Sequence, residues 1–86
     1  MHDYRYGMLI KADFDSQELS EANFTSAFLA HANFRGAVLK GADFSCAYLH
    51  NADFTGADLT GACFIGAVLQ DTVFTKAILT DVIWSC

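Results

Sequence analysis

A large apolar residue stands at every fifth position of this chain, from Tyr4 to Trp84. Phenylalanine and leucine alternate there. Phe14, Phe24, Phe34, Phe44, Phe54, Phe64 and Phe74 hold one half of the series. Leu9, Leu19, Leu29, Leu39, Leu49, Leu59, Leu69 and Leu79 hold the other. Every leucine falls in this register, and Phe28 is the one phenylalanine outside it. Two positions before most centres stands a small residue, mostly alanine, as in Ala22, Ala42 and Ala62. The residue just before the centre is often acidic or an amide: Asp13, Asn23, Asn33, Asp43, Asp53 and Asp58. The two residues after it are mostly polar or glycine.

A period of five fits neither an α-helix nor a strand. It resolves in pieces. The small residue and the centre are two apart, so in extended chain both point the same way. The next residues must turn the chain so that the following alanine again faces inward. A type II turn needs positive φ at its third residue, and Gly36, Gly41, Gly56, Gly61 and Gly66 stand there, with Asn51 as a tolerant alternative. Short extended pieces joined by regular turns form a coil, and stacked coils pair at the ~4.8 Å spacing of strands.

Composition limits the alternatives. The chain has 86 residues, 53% of them hydrophobic and 17% charged, and no proline. That balance excludes intrinsic disorder and allows one small domain, over residues 1–86. No apolar run approaches the ~20 residues of a membrane span, and the N-terminal residues show no signal pattern. A cytoplasmic protein is expected. The net charge of −5 disfavours direct contact with nucleic acid or anionic membrane. Cys46, Cys63 and Cys86 match no zinc or redox spacing, and free thiols suit a reducing compartment.

The segments Ala22-Asn23-Phe24, Ala32-Asn33-Phe34, Ala42-Asp43-Phe44, Ala52-Asp53-Phe54 and Ala57-Asp58-Leu59 resemble the pentapeptide-repeat proteins, whose pattern is Ala-(Asp/Asn)-(Leu/Phe)-X-X. The match is weakest before residue 12 and after residue 70. The resemblance implies an all-β fold, a right-handed quadrilateral β-helix, here of about four coils with 20 residues each. Residues 20 apart then stack. Tyr4, Phe24, Phe44, Phe64 and Trp84 make one aromatic ladder, opposite Phe14, Phe34, Phe54 and Phe74. Leu9, Leu29, Leu49 and Leu69 oppose Leu19, Leu39, Leu59 and Leu79. All these centres are expected in the core, in a rod about 20 Å tall at the strand spacing.

Function is then sought where the pattern breaks on the outside. Met8, Phe28, Tyr48 and Val68 stand where the family pattern has Asp or Asn, with Ile10 and Ala30 beside them. A continuous exposed apolar stripe marks an interaction site. The C-terminal end is apolar too, at Val73, Ile78, Val82, Ile83 and Trp84, and an open solenoid end needs a cap. A homodimer through that coil or through the stripe is expected. Some relatives of the quinolone-resistance type imitate duplex DNA and bind DNA gyrase, and the acidic column Asp13, Asn33 and Asp53 raises that alternative. B-DNA carries a charge per ~1.7 Å, so about 20 Å of duplex holds about 12. A net −5, interrupted by Arg35 and Lys40, falls short of that.

Catalysis needs polar groups converging in a concavity, and this repeat fills its interior with Phe, Leu and Ala. His31 and His50 stack on neighbouring coils, but no third ligand completes a metal site. Cys46 and Cys86 share a column two coils apart, roughly 9–10 Å at the strand spacing, beyond disulfide reach. Gln17 replaces an inward alanine and must bond the backbone or distort the first coil, and local irregularity is the favoured expectation. The expectation is a structural or protein-interaction module of unknown partner, with no enzyme activity and no cofactor.

Overall fold

The computed structural model describes residues 2–86; Met1, the first residue of the domain expected over 1–86, lies outside them. Backbone pairing joins residues twenty apart. Asp3 pairs with Asn23, Asn23 with Asp43, Asp43 with Cys63 and Cys63 with Ile83, all in parallel. The other columns are Met8–Phe28–Tyr48–Val68, Asp13–Asn33–Asp53–Val73 and Glu18–Val38–Asp58–Ile78. The chain therefore winds as a four-walled solenoid with one pentapeptide per wall. Each bridge is a single residue, because the chain turns before a longer strand can form. The β structure consists of isolated bridges, not the extended strands of an ordinary sheet.

Every corner closes in the same way. The N–H of the small residue donates to the carbonyl of the preceding centre, as from Ala37 to Phe34 at 3.1 Å and from Ala52 to Leu49 at 2.9 Å. The third residue of each corner has φ between +57° and +73°. Five of these residues are the expected glycines; eleven others carry side chains, His31, Cys46 and Asn51 among them. Between corners the ladder runs both ways. The Phe24 N–H donates to the Asp43 carbonyl at 2.7 Å, and the Asn23 N–H donates to the His2 carbonyl at 2.8 Å.

The centres fill the interior. Phe24, Phe34, Phe44, Phe54 and Phe64 are fully buried, with Leu19, Leu29, Leu39, Leu49 and Leu59. Within a ladder the rings stack with centroids 4.8–5.3 Å apart. Rings of the two aromatic ladders meet edge to face at 5.4–5.9 Å. Both arrangements suit the ring quadrupole, and burial of each such side chain stabilises by roughly 1.5–3 kcal/mol. In the middle coils a small residue is needed at the inward corner positions, because Ala27, Ala37, Ala47 and Ala57 are themselves fully buried beside these rings.

Four expectations need correction. The core ladders do not stay buried to their ends: Leu9, Leu69 and Phe74 are half-buried, and Leu79 is 38% exposed. Nothing in the described chain stacks beneath the last of these. Gln17 does not distort the chain. Its corner bond to Phe14 is 3.2 Å, its carbonyl still accepts the Val38 N–H at 2.9 Å, and its exposed side chain donates a long bond to the Asp13 carbonyl at 3.5 Å. Ala30, expected to extend the surface stripe, is buried. The molecule measures 28 × 28 × 26 Å, so it is a block as wide as it is tall and not a rod.

Candidate functional site

On three of the four walls the outward residue before the centre has a structural task, except at Val38, Cys63, Val73, Ile78 and Ile83, which carry no carboxylate or amide. Its side-chain oxygen accepts the backbone N–H two residues on, as from Thr25 to Asn23 at 2.9 Å, Arg35 to Asn33 at 2.9 Å and Ser45 to Asp43 at 2.9 Å. Asp3, Asp13, Glu18, Asp53 and Asp58 do the same. This local bond is the reason Asp and Asn recur there: a short polar side chain can satisfy a turn N–H that the ladder leaves free.

The first leucine wall, built on Leu9, Leu29, Leu49 and Leu69, gives up this bond in every repeat. Met8, Phe28, Tyr48 and Val68 have no oxygen to offer there, and the N–H groups of Ile10, Ala30, His50 and Gln70 have no protein partner among the described residues. In exchange the wall displays carbon. Met8 is 74% exposed, Tyr48 42%, Val68 40% and Phe28 37%. The Phe28 and Tyr48 rings stack on the outside with centroids 4.9 Å apart. Tyr6 and Ile10 lie exposed beside Met8, at the upper end of the same wall.

Charge distinguishes this wall further. The chain has ten acidic and five basic side chains, and all but Lys11 and Asp71 stand on the other three walls. Residues 6–10, 26–30, 46–50 and 66–70 contain no Asp, Glu, Lys or Arg. Lys11 and Asp71 are positive-φ residues of the corner that closes this wall. Sequence reasoning found the stripe but missed the charge-free wall around it. The signal was present, yet it shows only when residues 6–10, 26–30, 46–50 and 66–70 are read together.

The other sequence-predicted groups are placed as follows. Val73, Ile78, Ile83 and Trp84 are exposed, Trp84 by 44%, and Val82 is half-buried against the core. Thr72, in an inward alanine position, donates its hydroxyl to the Leu49 carbonyl at 2.8 Å. In the acidic column, Asn33 donates to Asp13 at 3.2 Å, and Arg35 pairs with Asp53 at 2.9 Å. Burial pushes Asp53 up, but hydrogen bonds from Thr55 and Arg35 outweigh it and hold the carboxyl below its ordinary value. Hydrogen bonds from Thr60 and the nearby Lys40 ammonium do the same for Asp58. His31 and His50 are joined through the backbone, His31 N–H to His50 carbonyl at 3.0 Å. Cys46, Cys63 and Cys86 are free thiols. Among the described residues no three His, Cys, Asp or Glu side chains gather as metal ligands, and no cavity opens. Among the described residues no helix is long and apolar enough to cross a membrane.

The comparisons agree with this geometry. The family model for pentapeptide repeats matches residues 18–56 and 52–83, in eight copies. The chain belongs to the pentapeptide-repeat family. Pentapeptide-repeat proteins form right-handed quadrilateral β-helices, and this member's four columns of parallel bridges follow that plan. Similar solved structures are pentapeptide-repeat proteins as well. One from Nostoc PCC 7120 is 34% identical with a TM-score of 0.84, over 88% of this chain and 63% of its own. HetL, from the same cyanobacterium and involved in heterocyst differentiation regulation, is 28% identical with a TM-score of 0.73, over 94% of this chain and 46% of its own. One from the Arabidopsis thaliana thylakoid lumen is 34% identical with a TM-score of 0.52, over 94% of this chain and 60% of its own. This pentapeptide-repeat chain thus spans between about half and two thirds of those relatives. No curated protein matches it.

Proposed function

We propose that this pentapeptide-repeat chain is a non-enzymatic protein-interaction module that docks its partner on the first leucine wall. The observation that carries the reading is the coincidence of three features on one wall: an exposed apolar stripe, no charge, and four forgone turn hydrogen bonds. Each such bond is worth about 1 kcal/mol at most in an exposed setting. A wall that loses four of them and exposes a Phe–Tyr stack is built for contact, since exposed apolar patches mark interaction surfaces. Family members are generally structural, and the convex walls around a packed interior suit binding better than chemistry. Counted at 20 residues per coil, the chain makes just over four coils, enough for four stripe residues in a row. The free thiols fit the reducing environment of a cytoplasm. The involvement of the related HetL in differentiation regulation also fits a protein that acts by binding.

The DNA-mimicking alternative gains nothing from the geometry. Arg35 and Lys40 neutralise part of the acidic surface by pairing with Asp53 and Asp58, and a block as wide as it is tall presents no duplex-like length.

Affinity capture with the wild type and with Phe28→Asp and Tyr48→Asp tests the docking wall, with Val38→Asp on the opposite wall as control. A partner held by the wild type and by the control, but lost by both stripe variants, is expected. Equal capture by all four proteins would reject the wall as the docking surface.

A further inference from the structure

We propose that the occupant of the charge-free wall is a second copy of the same wall, in a side-by-side homodimer. The inference rests on the docking reading above and names its partner. Three arguments lead to it.

The first is charge. With a net charge of −5, two copies repel at long range, weakly once salt screens them. Contact through any of the other three walls would desolvate carboxylates, ammonium or guanidinium groups, at a cost that pairing must recover. The charge-free wall buries none on its face and leaves Lys11 and Asp71 at its rim. A partner for it must itself be flat, uncharged and apolar over the same span, and the one such surface in view is the wall itself.

The second is shape. With one copy inverted about a two-fold axis in the contact plane, Phe28 falls opposite Tyr48 of the other copy, and Tyr48 opposite Phe28. The long Met8 then meets the short Val68 at both rims. The aromatic residues gather at the centre, where binding energy concentrates in protein interfaces, and two-fold contacts of this kind are the commonest in homo-oligomers.

The third is area. A wall bounded by the 28 Å and 26 Å extents of the molecule offers roughly 700 Å² per copy, or about 1,400 Å² in total, within the ~1,200–2,000 Å² of stable interfaces. The unbulged register of the bridges keeps the wall flat, so most of it can meet a flat partner.

The apolar C-terminal layer is a weaker candidate for the same contact. Leu79 and Trp84 belong to the core ladders, and a further coil would cover them as readily as a second copy would. The stripe faces sideways, and no further coil of the same solenoid covers it.

Static light scattering over a concentration series tests the proposal on the wild type, Phe28→Asp, Tyr48→Asp and Trp84→Ser, with far-ultraviolet circular dichroism confirming the fold of each. The expected result is a wild-type mass of twice the 9.4 kDa chain, retained in Trp84→Ser and at raised salt. The two stripe variants should dissociate at least about 100-fold more readily, because each would bury an unpaired carboxylate. A wild type of single-chain mass throughout would overturn the homodimer, and the docking wall would still stand if the capture experiment separated the stripe variants from Val38→Asp. A dimer that survives in the folded stripe variants, or is lost in a folded Trp84→Ser, would overturn the assignment of the dimer to this wall.

Discussion

A corner of this solenoid asks an L-amino acid to take φ near +60°, where its Cβ crowds the backbone. Eleven side-chain-bearing residues accept that, because each corner also secures an i to i+3 bond and a rung of the ladder. Glycine marked five of the corners in the sequence, and the five-residue period located the rest. Glycine still matters where space is short. A Cβ at Gly66 would meet the Cys46 Sγ at 3.2 Å, while at Gly56 it would meet nothing. Both positions have φ near +70°, so the αL penalty of about 1–2 kcal/mol is common to both. Gly66→Ala should therefore lower stability in urea unfolding more than Gly56→Ala does; equal losses would mean the Cys46 contact is easily relieved. Single residues also set the response to acid. Asp53 and Asp58, partnered by Thr55 and Thr60, are held below the ordinary 3.8. A depressed folded-state value adds stability above the unfolded-state value, and that gain is lost as pH falls through the folded one. The melting temperature should hold down to about pH 5 and fall below about pH 4, and Asp53→Asn should make that fall shallower. A melting temperature that rises on acidification through this range would contradict the assignment. The turn-capping role of these carboxylates was not legible beforehand, since it depends on where the N–H two residues on points.

At the scale of the pentapeptide, the alternation of Phe and Leu builds two aromatic and two leucine walls. Phe44 shows what one element contributes. It is fully buried, stacks on Phe24 and Phe64, and meets Phe34 and Phe54 edge to face. Phe44→Ala should cost about 3–5 kcal/mol, a large share of the stability of a domain this small, and a denaturation midpoint close to the wild type would refute the stacked core. The ladders could be read from the sequence because the family resemblance implied four pentapeptides per coil, and the ten-residue alternation then placed Phe and Leu on alternate walls. Their ends could not. Burial of Leu79 depends on what stacks beneath it, and a repeat pattern is blind to the number of its neighbours. Gln17 failed as a predicted break for a related reason: the corner is a backbone device, and a polar side chain near the open end can leave the interior without disturbing it. The stripe at Met8, Phe28, Tyr48 and Val68 was legible as a departure from the pattern, but its setting on a charge-free wall emerged only once the walls were assembled.

For the whole molecule, the decisive property is the segregation of charge. Thirteen of the fifteen Asp, Glu, Lys and Arg side chains cover three walls, and the other two, Lys11 and Asp71, stand at a corner of the fourth, which turns a symmetric scaffold into a one-sided one. Nothing in the packing of the interior requires this, because the outward residue of every pentapeptide is free to be polar. Two native thiols report on which surface is covered. Cys46 lies beside the stripe at the edge of the charge-free wall, and Cys86 lies at the C-terminal end; both are exposed. The most direct measurement is the rate of alkylation of each thiol as protein concentration rises, read by mass spectrometry of the labelled peptides. The account predicts that Cys46 becomes progressively protected while Cys86 reacts at a constant rate. Protection of Cys86 with Cys46 unchanged, or constant rates at both, would contradict it.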